Sequence, residues 1–488
     1  MDLHIKNIGA IGSIDIKVEG ITVIAGENSS GKSTVGKVLY SLLHGMSDWP
    51  SIYKKTCHEL ISSVLERRSA ILEDFCLQET GAKRRRTSKA RELMELFSSD
   101  PELVIAIEDF QFYYYSDVKG EQEESAKISL ISKLSTYLVK YIGLYTSDYD
   151  VIERAIVKDF GEWSTQTAIE LCEVIPDELS LQCEYIADVF SDTFKNQYQR
   201  VGEKTSEILL IDDSDREIKL TFSEKGNSLS APIRINEGVY YIESPKVFDL
   251  LSDPSSGSYQ KNFLRYLMSP NIFTKTRYRY HQLQKAEDFE KSVSFTQIES
   301  VLVSLQNTMG GRAEFYQKVG LEFKDERIKE PIHSVNISAG LKSLALLEYS
   351  LRIKSILPGD IVILDEPEIN LHPSWQAVYA KALVDLQKQY NLKLIVTSHS
   401  PYFIRAIEVY SDLTDVMDTL NVYSLQRNTD NVVTAENVSY SEFGVSELYE
   451  RLSAPLEKLE SLHRPEAAEC QNPKPPYRED PCPPAGHR

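Results

Sequence analysis

The order of apolar and polar positions divides the chain into segments with different predicted secondary structure. Residues 1 to about 45 show an alternating N-terminus, a continuous apolar run "ITVI" and an apolar helical stretch, which predicts strands followed by a helix. From about 47 to 205, apolar residues recur at helical spacing and glycine is sparse. From about 206 to 245 the period falls to two, as in half-buried strands. A helix-rich segment is predicted from there to about residue 330.

Residues 333–410 carry a cluster of short motifs, and two strand candidates and a helix ending near Leu462 follow them. The tail is rich in proline and poor in aliphatic residues, so it cannot offset its ordering entropy and is predicted to be disordered. We therefore predict an α/β protein built from residues 1–46 and 206–463. A mostly helical insertion, 47–205, separates its two parts, and the disordered tail spans 464–488.

The apolar run "ITVI" leads into a turn rich in glycine and serine, "AGENSSGKST". Gly26 and Gly31 let the backbone bend so that successive N–H groups form a nest for anions. Lys32 would supply positive charge to the β- and γ-phosphates, Ser33 would ligate Mg²⁺, and Thr34 would bind the α-phosphate. A G-x-x-x-x-G-K-S motif between a strand and a helix is a specific signature of nucleoside triphosphate binding, so ATP and Mg²⁺ are the expected cofactors. The residues predicted to contact the nucleotide here are Gly26, Asn28, Ser29, Ser30, Gly31, Lys32, Ser33 and Thr34.

A second motif, "DIVILDEPEINLHP", begins with a run that lacks alternation, as expected of a fully buried strand. Asp365 stands at its carboxyl end, where a parallel sheet presents ligands, and is predicted to hold magnesium through water. Glu366 follows directly and is predicted to be the general base that polarises the attacking water. The simpler interpretation, a strand followed by an acidic turn, loses weight beside a phosphate-binding loop.

Two further motifs complete the set. In "LKLIVTSHSPYFI" a buried strand ends at His399, which is placed to sense a γ-phosphate by a hydrogen bond, although a lone histidine is more often structural. In "NISAGLKSLALLEYSLRI" Ser338 is a good N-cap, and Gly340 permits close approach of another backbone. Taken alone, this last motif is equally well explained as a capped core helix.

Composition limits the classes of function. The net charge of −19 argues against whole-surface attraction to nucleic acid, which would require a local basic patch or a partner. The run "AKRRRTSKAR", containing Lys83 to Arg91, is such a patch, and it fits either a solvated segment or a contact with phosphate or an acidic partner. Arg277 and His281 in "RYRYHQ" suggest a ribonuclease, but their spacing favours a solvated helix face.

The six scattered cysteines lack C-x-x-C spacing and indicate free thiols in a reducing cytoplasm, without a zinc site. No apolar run of about 18 residues and no signal-peptide pattern occurs, so no membrane association is expected.

The order "GENSSGKST", "NISAGLKS", "LDEPEINLHP", "TSHSP" resembles the ATP-binding-cassette (ABC) ATPases, in the branch whose heads resemble Rad50, RecF and the overcoming-lysogenization-defect proteins. This resemblance implies a parallel-sheet core with an antiparallel β subdomain and two heads that sandwich two ATP molecules. Gly26–Thr34 would be the Walker A loop, and Asp365 with Glu366 the Walker B pair. Asn370–Pro373 would be the D-loop and His399 the switch histidine. The signature that meets the γ-phosphate of the other head would comprise Ser338, Gly340 and Lys342.

The sequence departs from that family in two places. Its signature reads Ser-Ala-Gly where the family usually has Ser-Gly-Gly, so Ala339 narrows the backbone freedom. The Q-loop glutamine expected after "GVYYIES" is replaced by Glu243, Ser244 and Pro245, and Gln111 is a poor substitute. The residue that completes the magnesium site and the speed of ATP turnover therefore stay open.

The distances between the motifs along the chain exclude several members of this branch. Lys32 and Ser338 are 306 residues apart (338 − 32), farther than in transporter ATPases, while the insertion is too short for a long coiled-coil arm. The 89 residues after His399 (488 − 399) do not suffice for the second nuclease domain of overcoming-lysogenization-defect proteins. The chain thus resembles ATPase subunits of two-gene bacterial antiphage systems, Septu first and PARIS second. That resemblance implies multimers of head dimers and a nuclease partner, of HNH type first and TOPRIM type second. The alternative is a RecF-like DNA-repair ATPase that acts directly on DNA.

Overall fold

The computed structural model describes most of the chain. Among the features singled out above, Lys83–Arg86, Glu243–Pro245, Arg277, His281 and the tail lie outside the described residues. The described residues are 1–47, 49–80, 88–115, 121–146, 150, 152–153, 160–212, 214–233, 235, 237–242, 295–316, 320–352, 356–430, 432–439 and 444–463.

A single large sheet forms the centre of the described structure. Its eleven strands run, in spatial order, β6 (Ser228–Leu229), β5 (Glu217–Ser223), β4 (Thr205–Ile211), β1 (Asp2–Ile8), β2 (Ile11–Lys17), β14 (Val433–Asn437), β13 (Leu420–Arg427), β3 (Ile21–Ala25), β12 (Lys393–Ser398), β11 (Ile361–Asp365) and β7 (Val239–Ile242). Strands β7, β11, β12, β3 and β13 pair in parallel, and β6, β5, β4, β1 and β2 pair antiparallel. The predicted α/β class is confirmed, and the parallel and antiparallel parts belong to one continuous sheet.

Helices cover both faces of the parallel part. The described helices are α1 (Lys32–Ser47), α2 (Trp49–Thr80), α3 (Ser88–Ser98), α4 (Pro101–Tyr115), α5 (Glu121–Gly143), α6 (Phe160–Val174), α7 (Glu178–Phe194), α8 (Phe295–Met309), α9 (Ala339–Arg352), α10 (Pro373–Tyr390), α11 (Pro401–Leu413) and α12 (Gly444–His463). None of them is long and apolar enough to cross a lipid bilayer.

Strand β11 shows how the two faces are filled. Val362 and Leu364 point into a core shared with α8–α12, and Ile361 and Ile363 point into a core shared with α1 and α7. Because successive side chains of a strand face opposite sides, a strand buried on both sides must be apolar throughout. The absence of alternation in this strand is therefore the direct signature of its central position.

Helices α2–α6 enclose a third core of their own, which includes the fully buried Trp49 and Tyr137. The following helix, α7, contacts two cores: its Leu181 and Tyr185 pack against this third core, while Ile186 and Phe190 pack with α1 against the sheet. The four cysteines in the described part, Cys57, Cys76, Cys172 and Cys183, are buried, and no disulfide joins them.

Residues 243–294 of the predicted helix-rich segment lie outside the described residues, and the prediction of helix up to about residue 330 is wrong beyond α8. A second, three-stranded sheet follows, formed by β8 (Gly311–Tyr316), β9 (Gly320–Asp325) and β10 (Ile332–His333). Its strands are short, and charged residues separate the few buried apolar positions such as Ala313 and Phe323. Glu314 on β8 pairs with Lys324 on the neighbouring strand at 2.6 Å. The periodicity of a single segment does not indicate such partners, because they lie on a neighbouring strand.

Candidate functional site

Three neighbouring strands deliver the predicted motifs to one edge of the sheet. Strand β12 lies between β3 and β11, and all three run in parallel, so Ala25, Asp365 and Ser398 end at the same edge. The carboxyl ends of parallel strands are where open α/β sheets place their ligands. Segments that lie more than 300 residues apart in sequence therefore meet here.

The loop after β3 bends back on the sheet. The Gly26 N–H donates to the Ser398 carbonyl at 3.3 Å, and a Cβ on Gly26 would lie 2.7 Å from Ser30 Oγ. Ser29 and Gly31 have φ values of 64° and 96°, in the left-handed region that favours glycine. The loop thus needs glycine at both ends of its motif, as the sequence predicted. Within it Asn28 and Ser29 are exposed, and the Ser30 hydroxyl is buried without a hydrogen-bond partner among the described residues.

Lys32, at the start of α1, is the cation of the site. It is only 3% exposed, and its Nζ donates to the carbonyl oxygens of Gly26 at 3.0 Å and Glu27 at 2.8 Å. The same Nζ lies 3.2 Å from Glu366 Oε1. The ammonium group is therefore held on the inner side of the loop, next to the second acidic motif.

Asp365, at the end of β11, accepts hydrogen bonds from three hydroxyl groups. Ser33 Oγ donates to Asp365 Oδ1 at 3.2 Å and Thr397 Oγ1 donates to the same oxygen at 2.5 Å. Tyr241 Oη, from β7, donates to Oδ2 at 3.0 Å. The two residues predicted to bind magnesium, Ser33 and Asp365, are thus in direct contact, and the other hydroxyls fix the orientation of the carboxylate.

Glu366 and His399 face each other across the same edge. Glu366 has a left-handed φ of 48°, and its N–H donates to the Thr397 carbonyl at 3.1 Å and to Thr397 Oγ1 at 3.0 Å. Its Oε1 lies 3.4 Å from His399 Nδ1. Contact with His399, reinforced by the charge of Lys32, lowers the pKa of Glu366, while contact with Glu366 raises the pKa of His399. The site therefore favours an ionised Glu366.

Glu368 is a further site residue that sequence reasoning missed. Its Oε1 accepts from Ser398 Oγ at 2.6 Å and from the His399 N–H at 3.2 Å. The side chain is only 3% exposed, and burial raises the pKa of the carboxyl group. Glu368 thus fixes the backbone that carries His399. The second glutamate of "DEPE" is the sequence feature that could have indicated Glu368. Its partners become apparent only once β11 is known to pair with β12.

The predicted signature lies at the start of α9. Ser338 is exposed and its Oγ accepts from the Leu341 N–H at 3.3 Å, so it caps the helix. Gly340 is buried against the turn after Glu366, and a Cβ there would lie 2.5 Å from the Asn370 carbonyl oxygen. Lys342 is 5% exposed. The predicted signature and D-loop are therefore packed together within one chain.

This contact gives a stability prediction. Gly340→Ala should lower the free energy of unfolding by about 1–3 kcal/mol, because the added methyl group overlaps a backbone oxygen that cannot rotate away. Gly143→Ala is the matched control, since Gly143 ends α5 with nothing within 4 Å of an added Cβ. Urea unfolding should show a loss only for Gly340→Ala; equal midpoints would contradict the close contact.

Gln111, considered above as a substitute for the Q-loop glutamine, serves another purpose. It lies on α4, and its Nε2 donates to the carbonyl oxygens of Cys172 at 3.0 Å and Ile175 at 2.7 Å. These bonds tie α4 to the end of α6 within the helical region. Gln111 is therefore a structural residue of that region.

The parallel part of the sheet, a glycine-rich loop opening a helix and an acidic strand end beside it together define a P-loop ATPase fold. The chain belongs to the AAA ATPase domain family, whose model matches residues 1–404.

Other similarities are more distant. UvrABC system protein A of Staphylococcus aureus (strain MRSA252) is 22% identical over 250 residues, which cover 47% of this chain and 25% of that protein. The chain thus spans about a quarter of the length of this curated relative. Among solved structures, the SmcHead bound to the C-winged helix domain of ScpA is 13% identical, covering 90% of this chain and 98% of that chain with a TM-score of 0.40. The SMC head domain from Thermotoga maritima is 10% identical, with coverages of 90% and 98% and a TM-score of 0.34.

Proposed function

We propose that this protein binds and hydrolyses ATP with Mg²⁺ at the edge formed by β3, β11 and β12. The observation that carries this proposal is the convergence of Lys32, Ser33, Asp365, Glu366 and His399 within a continuous chain of contacts. A lysine at the loop, a hydroxyl–carboxylate pair that can hold Mg²⁺ and a residue that can orient water are the groups that P-loop ATPases use for phosphoryl transfer.

The side chains present fit a magnesium nucleotide. The loop contains a buried hydroxyl, Ser30 Oγ, without a hydrogen-bond partner among the described residues, and a Cβ at Gly26 would lie only 2.7 Å from it. The hydroxyl of Ser33 and the carboxylate of Asp365 are hard oxygen ligands, which Mg²⁺ prefers. When bound, Mg²⁺ neutralises charge on the phosphate oxygens.

Each residue then has a defined task in the proposed reaction. Lys32 binds the phosphates with its charge, while Ser33 and Asp365 hold the metal. Glu366 accepts a proton from the attacking water, and the low pKa favoured by His399 keeps it ionised for that step. His399 donates a hydrogen bond toward the γ-phosphate, and Glu368 positions the backbone at His399.

We further propose that two chains pair head to tail, so that Ser338 and Gly340 of each chain complete the site of the other. The exposed N-terminus of α9 supports this proposal, because helix N-termini favour anions and Ser338 is accessible there. Lys342 is buried and lies one turn after Ser338. We therefore assign contact with the phosphate to Ser338 and to the backbone N–H groups at the start of α9, ahead of Lys342.

The biological role that we propose is a regulatory ATPase of a two-gene antiphage system. ATP-sandwiched head dimers, assembled into larger homo-oligomers in the cytoplasm, would hold and control a partner nuclease of HNH type, or failing that a TOPRIM-type effector. The order and spacing of the motifs support this role. The net charge of −19 supports control through a protein partner over direct DNA loading, which is the alternative.

A combined assay of hydrolysis and size tests this proposal. The purified chain should hydrolyse ATP, and duplex or single-stranded DNA should stimulate that hydrolysis less than about two-fold. Its mass should increase with ATP only while the ATP remains unhydrolysed. Strong DNA stimulation would support the DNA-repair alternative, and absence of hydrolysis would refute the ATPase proposal. A nuclease encoded by the neighbouring gene should copurify with the chain; a neighbour of unrelated chemistry would count against the antiphage role.

A further inference from the structure

A cavity of about 420 Å³ lies within the helical region, away from the sheet edge that carries the proposed ATP site. Its size falls within the range of pockets that bind small molecules. Helices α2, α3 and α5 and the turn after α5 line it, and the lining includes Ala70, Glu73, Glu92, Glu95, Tyr141 and Tyr145.

Glu73 is the buried acid of this cavity. It is only 6% exposed, and its Oε1 has no hydrogen-bond partner among the described residues. Arg91 also lines the cavity, but it is exposed at the mouth, and no ion pair joins it to Glu73 in the part of the chain that is described. A buried carboxylate oxygen without a hydrogen-bond partner is costly, and a cation that enters the cavity would remove that cost.

The side chains at the wall and at the mouth of the cavity also suit an organic cation. Tyr141 is buried and Tyr145 is half-buried, with ring centroids 5.7 Å apart, and they place aromatic surface beside Glu73. Glu92 and Glu95, on α3, are exposed at the mouth. Aromatic faces attract organic cations. The described residues contain no group of three side chains able to hold a metal ion, which argues against a bare metal as the occupant.

We propose that this cavity binds an aliphatic diamine or polyamine. One ammonium group pairs with Glu73 at the floor, the alkyl chain lies against Tyr141 and Tyr145, and a second ammonium group reaches Glu92 and Glu95 at the mouth. A ligand with two separated charges matches this distribution of carboxylates better than a ligand with one. The site is independent of the proposed ATPase activity.

Calorimetric titration of the full chain with putrescine and spermidine in 150 mM sodium chloride tests this proposal, since that salt suppresses loose binding to an acidic surface. Both probes should bind saturably at one site per chain, and 1-aminobutane should bind at least five-fold more weakly. Glu73→Gln should weaken binding at least ten-fold. Glu124→Gln is the matched control, because it removes the same charge from an exposed position of α5 outside the cavity, and it should change binding less than two-fold.

Three results would overturn the proposal: a lack of saturable binding by both amines, unchanged binding in Glu73→Gln, or equal losses of affinity in Glu73→Gln and Glu124→Gln. If Glu73→Gln fails to fold, Ala70→Phe serves in its place, because it adds bulk from an exposed lining position without touching the buried carboxylate. Ala70→Phe should abolish binding, and full binding by that variant would refute the site.

Discussion

Lys32→Ala should abolish ATP binding, raising the dissociation constant at least about 100-fold, or about 2.8 kcal/mol. Lys32 Nζ is the cation at the loop, within 3.0 Å of the Gly26 carbonyl and 3.2 Å of Glu366, and alanine removes it entirely. Without it, the phosphates would approach Glu366 without the ammonium group that lies 3.2 Å from its carboxylate. Titration of the purified variant with a fluorescent ATP analogue measures the change directly.

The matched control for this substitution is Lys381→Ala. Lys381 lies on α10 with its side chain 52% exposed and pairs with Asp385 at 2.6 Å. An exposed pair of this kind contributes little, so ATP affinity should stay within a factor of two of the unmodified chain. If Lys32→Ala also stayed within that factor, Gly26–Thr34 would not be the nucleotide site.

The second large effect is expected for Glu366→Gln. This variant should bind ATP while its turnover falls about 10²–10⁴-fold, because the amide cannot accept the proton of the attacking water. It keeps the size of the side chain, and the backbone N–H bonds to Thr397 that set its left-handed φ are unaffected. Steady-state phosphate release and ATP binding should be measured on the same preparation.

The same variant tests the head dimer. With hydrolysis blocked, ATP should hold the paired heads together, so light scattering should show a stable increase in mass with ATP in Glu366→Gln. Glu436→Gln, at an exposed position of β14, should behave like the unmodified chain in both assays. An unchanged mass of Glu366→Gln with ATP would argue against the sandwich.

Local chemistry explains why much of this site could be predicted from sequence. Two requirements for glycine arise within the loop motif itself: Gly31 has a left-handed φ, and a Cβ at Gly26 would meet Ser30 Oγ. The apolar run before Asp365 likewise indicates a strand that is buried on both faces. Each of these patterns can be recognised from a few neighbouring residues of the sequence. The α/β class followed from them, because continuous apolar strands alternating with helical segments favour a parallel sheet.

The remaining contacts depend on strand order and register, which no local pattern encodes. Thr397 reaches Asp365 because β12 pairs with β11 with these two residues in register. Tyr241 reaches the same carboxylate from β7, on the other side of β11. The strands β8 and β9 were not predicted for the same reason, because their charged side chains pair between the two strands, as Glu314 does with Lys324.

The position of β3 has a consequence for synthesis on the ribosome. Both of its neighbours in the sheet, β12 and β13, come late in the chain, and Ile21 pairs with Leu394, 373 residues later (394 − 21). At ordinary translation rates this buried strand waits roughly 20–75 s for its partners. The glycine-rich loop after β3 thus emerges long before the two strands that flank β3 in the sheet. Chaperone dependence and aggregation of nascent chains should accordingly trace to the exposed "ITVIA" segment.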